Sequence, residues 1–138
     1  MLIVSHTVQT KASPAAIWKI WKDVENWNTW DHSLESSTLN GPFQVGSTGT
    51  IKCKGDPLLP MRLTRIEPDK RFDCEVKLFC ARVTSEHTIE VKHGITHVTN
   101  TIEAKGPLAF FFAFVIGRAI KKKLPTEMAE MIKKAESM

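Results

Sequence analysis

The chain has 138 residues, 42% of them hydrophobic and 25% charged, which excludes a disordered tail or a fibre and suffices for one domain, 1–138, with its own core. Lysine and arginine number 19 against 15 aspartates and glutamates, a net charge of +4, and three of those excess charges fall in residues 118–138. That excess reads as the solvated face of one late helix, and no zinc-finger spacing or RNP-type aromatic motif points to nucleic acid.

Residues 2–11 alternate, with Leu2, Val4, His6, Val8 and Thr10 on one face and Ile3, Ser5, Thr7, Gln9 and Lys11 on the other. This predicts a strand. Met1–Val4 lacks the charged start and longer apolar core of a signal peptide, so a cytoplasmic protein is expected. Ser13-Pro14 supplies an N-cap and a first-turn proline, and Ile17, Ile20, Trp21 and Val24 share a helical face. A short helix to about Asp23 follows, then one more helical turn that presses Trp27 and Trp30 against a common neighbour.

From Leu34 to Ala104 strands are predicted at 33–39, 47–54, 60–67, 70–80, 82–92 and 95–105, separated by glycine, proline and asparagine turns. Connections this short require an antiparallel meander. Parity places Phe72, Cys74, Val76, Leu78 and Cys80 on one inner face, the cysteines as small buried hydrophobes. Val83, Ser85, His87, Ile89 and Val91 share another, and Thr96, Val98, Asn100, Ile102 and Ala104 a third. Three cysteines without a CxxC spacing argue against a disulfide framework or a zinc site.

Residues 106–138 predict a long helix. Gly106-Pro107 marks its start, and Phe112, Ile116, Ile120, Leu124, Met128, Met131 and Ala135 form one continuous stripe. Its apolar opening, 108–116, is shorter than the about 20 residues a bilayer crossing needs. Phe110 and Phe114 project away from the stripe, so either the loops at 41–45 and 56–60 cover them or they form an exposed patch. Pro125 predicts a kink or division of the helix.

The runs Thr10–Trp18 and Asp23–Asp31, with Leu39–Phe43 and Gly46, the Glu67-Pro68 turn with Phe72, and Gly106-Pro107, resemble the START-like (SRPBCC) superfamily. Within it the polyketide cyclase/dehydrase-like group is the nearest in style, and the similarity spans essentially the whole chain. The resemblance implies an α+β helix-grip fold: a curved antiparallel sheet of about seven strands, two short helices after the first strand, and a long C-terminal helix over a ligand cavity. The matching motifs mark caps, turns and packing and include no catalytic group, so function is open between classes.

The first expectation is a small, mainly apolar or amphipathic ligand, lipid-like or polyketide-like. Its cavity would be lined by Phe72, Val76, Leu78, His87, Ile89, Val98, Asn100, Phe112, Ile116 and Ile120, with His87 and Asn100 orienting a polar end. The alternative is a cyclase/dehydratase-type enzyme in which His87 carries protons. A third class is a membrane- or partner-binding module using the phenylalanines and Lys121–Lys123. Arg62 and Arg65 have opposite parity, so at most one faces inward, where it would favour a carboxylate or phosphate. No metal or cofactor is implied: His93 and His97 flank a hairpin, and Gly46–Gly49 lacks the lysine of a phosphate loop. A monomer or homodimer is expected, without nucleic acid.

Overall fold

In the computed structural model, which describes residues 1–138, the first strand β1 (Leu2–Thr10) ends in a corner held by threonines. The Thr10 hydroxyl accepts from the Ala12 N–H at 3.0 Å, and Thr96 donates to the Ala12 carbonyl at 2.9 Å. Ser13 then caps helix α1 (Pro14–Lys22), its hydroxyl accepting from the Ala16 N–H at 3.1 Å. The helix buries Ile17, Trp18, Ile20 and Trp21. A 3-10 helix, Val24–Thr29, follows, and both Trp27 within it and Trp30 after it are buried. It is pinned to β2 (Leu34–Asn40) by Ser37, which donates to the Val24 carbonyl, and by Asn28, which donates to the Glu35 carbonyl.

Five more strands complete one antiparallel sheet: β3 (Thr48–Cys53), β4 (Leu59–Glu67), β5 (Arg71–Leu78), β6 (Ala81–Lys92) and β7 (Ile95–Lys105). Their spatial order is β1-β7-β6-β5-β4-β3-β2, so the meander runs in sequence and β1 closes beside β7. Helix α2 (Ala109–Glu136) lies with α1 over the inner face, and the buried core fills the space between. This is the expected α+β helix-grip arrangement of seven strands around a long C-terminal helix.

Bulges account for two departures from simple alternation. One between Leu2 and Val4 turns Ile3 inward, where it is buried, and leaves Leu2 exposed, the reverse of the expected parity. Another between Leu63 and Arg65 lets both arginines face outward, Arg62 toward Glu75 and Arg65 toward Glu67. The expected strand 70–80 stops at Leu78. Cys80 sits in the following turn at φ 53° and is exposed, so only Cys74 of that pair is a buried hydrophobe. Val91 likewise lies exposed, where β6 runs beyond the core.

The last helix begins at Ala109, two residues past Pro107. Gly106 takes φ 104°, and the Leu108 N–H donates to the Cys80 carbonyl at 3.0 Å, tying the helix start to the β5–β6 hairpin. The helix then runs unbroken for 28 residues, and Pro125 does not divide it. The proline and Lys121 are both on the exposed side, so the carbonyl that loses its helical partner faces solvent, while Leu124 and Met128 hold the helix on the core on either side of the proline.

Candidate functional site

Strand register sets the polar residues of the inner face in a row. Asn100 of β7 is paired with His6 of β1 on one side and His87 of β6 on the other, and His87 is paired in turn with Phe72 of β5. The His87 ring stacks on Phe72 with centroids 4.0 Å apart and planes 6° apart, and the Trp21 ring meets it edge-on at 5.5 Å. Burial lowers the His87 pKa from 6.5 to about 4, outweighing the Phe72 backbone and the Asp73 charge, which act in the opposite direction. The imidazole is therefore neutral near pH 7.

Above this row lies a cavity of about 160 Å³. Its floor is Phe72, Cys74 and Val76 of β5, Val83, Ser85 and His87 of β6, and Asn100 and Ile102 of β7. Trp27, Trp30, Leu34 and Ile51 form one wall, and Ile120, Lys123 and Glu127 of α2 reach down from the helix. Ligand pockets commonly measure about 300–1,000 Å³, but an apolar cavity of about 150 Å³ is enough to hold benzene.

The helix side of the cavity carries charge that strand parity does not reveal. Lys123 donates to the Ser33 hydroxyl at 2.7 Å and lies 3.9 Å from the Asp31 carboxylate, and Glu127 stands one turn further along α2. Burial, reinforced by the Asp31 charge and only partly offset by Lys123, pushes the Glu127 pKa up from 4.5 to about 8. Glu127 thus keeps its proton at neutral pH. Burial also raises the Cys53 thiol at the rim, so it is no ready nucleophile. Glu127 was not among the expected site residues. The available signal was its position one turn from Lys123, beside Leu124 and Met128 on the apolar stripe.

Four buried side-chain atoms in the chain lack a hydrogen-bond partner: Trp30 Nε1, His87 Nδ1, Asn100 Oδ1 and Glu127 Oε2. All four residues line the 160 Å³ cavity. The same four also line an adjoining void of about 10 Å³, bounded by Trp21, Val98, Met128 and Met131. The other indoles of this cluster are satisfied, Trp21 donating to Met131 Sδ at 3.1 Å and Trp27 to the Trp21 carbonyl at 3.0 Å. Buried polar groups are normally paired, so four orphans around one space mark a place where something polar fits.

Of the residues expected to line a site, Phe72, Val76, His87, Asn100 and Ile120 surround this cavity, and Val98 borders the small void. Leu78, Phe112 and Ile116 are half-buried outside its lining. Ile89 borders a separate surface hollow near Ser13 and Asp69. Loops do not cover the outer phenylalanines: Phe110 is 63% and Phe114 86% exposed, beside a shallow groove lined by Met1, Leu2, Phe111 and Lys121. No helix is long and apolar enough to cross a membrane. No group of three or more His, Cys, Asp or Glu side chains is placed to hold a metal ion.

The fold recurs among solved structures. A protein from Mesorhizobium loti superposes with a TM-score of 0.76 at 15% identity over 98% of both chains. A hypothetical protein from Helicobacter pylori gives 0.79 at 11% identity over 95% of this chain and 86% of its own. The Zhui aromatase/cyclase from Streptomyces sp. R1128 gives 0.73 at 13% identity over 96% of this chain and 92% of its own. At such identities the likeness is one of fold. No curated protein sequence matches the chain. The family model described as polyketide cyclase / dehydrase and lipid transport matches residues 1–136, and the chain belongs to that family.

Proposed function

We propose that the protein binds a small, mainly apolar or amphipathic ligand, lipid-like or aromatic, in the cavity between the sheet and α2. The observation that carries this reading is an apolar-lined internal space that also gathers the chain's four unpartnered buried polar atoms. A family described by cyclases, dehydrases and lipid transport supports a ligand of that kind. The cavity is small for such a molecule, and α2 is the wall that can yield. Its first half buries only Gly117, whereas Leu124, Met128, Met131, Ile132 and Ala135 anchor the second. Native mass spectrometry of the protein incubated with fatty acids and with aromatic polyketides tests the reading. A one-to-one complex that is lost in Val83→Trp, which fills the cavity, supports it; no complex with either class overturns it.

A second reading, an enzyme of cyclase/dehydratase type, is favoured by Glu127. An acid or base works best when its pKa lies near the operating pH. Glu127, at about 8, meets that condition better than His87 at about 4, which is a weak base. Full turnover of an identified substrate by Glu127→Gln removes the proton-carrying role from Glu127, and full turnover by His87→Ala removes it from His87.

A further inference from the structure

We infer that the polar end of this cavity receives an uncharged hydroxyl or carbonyl group of the ligand, held by Trp30, His87, Asn100 and Glu127, and that it rejects a carboxylate. The inference rests on the ligand-binding reading above and names the chemistry of the ligand's head. It comes from three features of the site.

The first is the set of orphans itself. Trp30 Nε1 is a donor only, and Trp30 is 7% exposed; the Asn100 amide, in a residue 5% exposed, offers both a donor and an acceptor. Of the neutral His87 ring only Nδ1 is left unpartnered, and of the Glu127 carboxyl, which also hydrogen-bonds Asp31, only Oε2. A hydroxyl needs an acceptor and gives a donor, and a carbonyl needs donors. The four groups satisfy either. A site built for a carboxylate would instead offer an unpaired cation.

The second feature is charge. Lys123 is the one cation on the cavity wall, and it already serves Ser33 and Asp31. Asp31 and Lys123 cancel, and neither His87 nor Glu127 adds charge in the protonation states given above. An incoming carboxylate would be buried beside two acidic groups with no free partner, and an incoming ammonium would find no free carboxylate. Burying an unpaired ion costs far more than burying a neutral polar group.

The third is space. The void of about 10 Å³ bordered by all four groups is the size of one water molecule, and a hydroxyl or carbonyl oxygen occupies similar room. The larger cavity beside it, with Phe72, Val76 and Ile102 in its lining, takes the apolar body. The ligand therefore enters with its oxygen toward β6 and β7.

Phenol, toluene and benzoate, titrated into the full-length protein and followed by ligand-observed NMR, test this with one ring and three heads. Phenol is expected to bind about tenfold tighter than toluene, a neutral hydrogen bond's worth, with benzoate weakest of the three. In Glu127→Met and in Trp30→Phe, which keep volume and ring, the preference for phenol should fall to within about threefold while toluene still binds. Equal binding of phenol and toluene, or tightest binding of benzoate, overturns the inference and leaves the cavity reading standing. A phenol preference that survives in both variants overturns its assignment to these groups. Binding of none of the three removes both the inference and the cavity reading.

Discussion

Glu127 and His87 border one cavity and are shifted in ways that bracket the pH range of highest stability. The unfolded chain releases the Glu127 proton near pH 4.5, whereas the folded protein holds it to about 8. Stability is therefore lost as pH rises through that window, by up to roughly 5 kcal/mol, an amount set mainly by burial, with Asp31 adding to it and Lys123 reducing it. Glu127→Gln should remove this loss and raise the unfolding free energy at pH 8 relative to wild type, with little change at pH 4.5, as measured by urea denaturation. His87 acts on the other side: the unfolded chain gains its proton near 6.5 and the folded protein only near 4, so stability is lost as pH falls between them, by up to roughly 3 kcal/mol. His87→Leu should flatten that acid limb and leave the alkaline one unchanged. His87 and Asn100 were legible in the sequence because strand parity puts them among aliphatics. Glu127 was not, because a glutamate on a lysine-rich helix reads as solvated until the fold brings Asp31, from the far end of the chain, against it.

At the scale of elements, strands, caps and turns could be read from the residues, and register could not. Alternation and turn residues located all seven strands to within a residue or two. The bulges in β1 and β4 are invisible to a period-two pattern, so neither the inward turn of Ile3 nor the outward turn of both Arg62 and Arg65 could be read from parity. Gly49 shows what close strand approach demands. A Cβ there would sit 1.9 Å from the Thr38 carbonyl oxygen of the neighbouring strand, a clash that only backbone movement relieves. Gly49→Ala is accordingly expected to cost at least about 2 kcal/mol, whereas Gly46→Ala meets no atom within 4 Å and pays only for its positive φ. Comparing the two variants by thermal denaturation separates steric clash from backbone preference. The unbroken α2 was likewise not legible, since Pro125 ends most helices and is tolerated here through packing on either side of it.

Across the whole molecule, the arrangement is asymmetric. One end of α2 is locked against α1 and the sheet, and the other rests on it with Phe110, Phe111 and Phe114 turned to solvent. Sparse burial predicts low local stability, so amides of residues 112–120 should exchange hydrogen faster than those of 124–135, and a cavity ligand should slow the first group selectively. The aromatic patch lies next to Lys121 along the same helix, so the wall that can move is also the apolar one. The sequence foretold the helix-grip architecture and the apolar character of this helix. It could not foretell how much of the helix the core leaves uncovered, because that depends on the distance between helix and sheet. The most direct measurement is a crystal structure of the protein with a small aromatic alcohol bound. The account predicts density for the ring between Phe72 and Ile120, with its oxygen within hydrogen-bond distance of Asn100, His87, Trp30 or Glu127. An empty cavity, with the compound seated only in the surface groove beside Phe114, would contradict it.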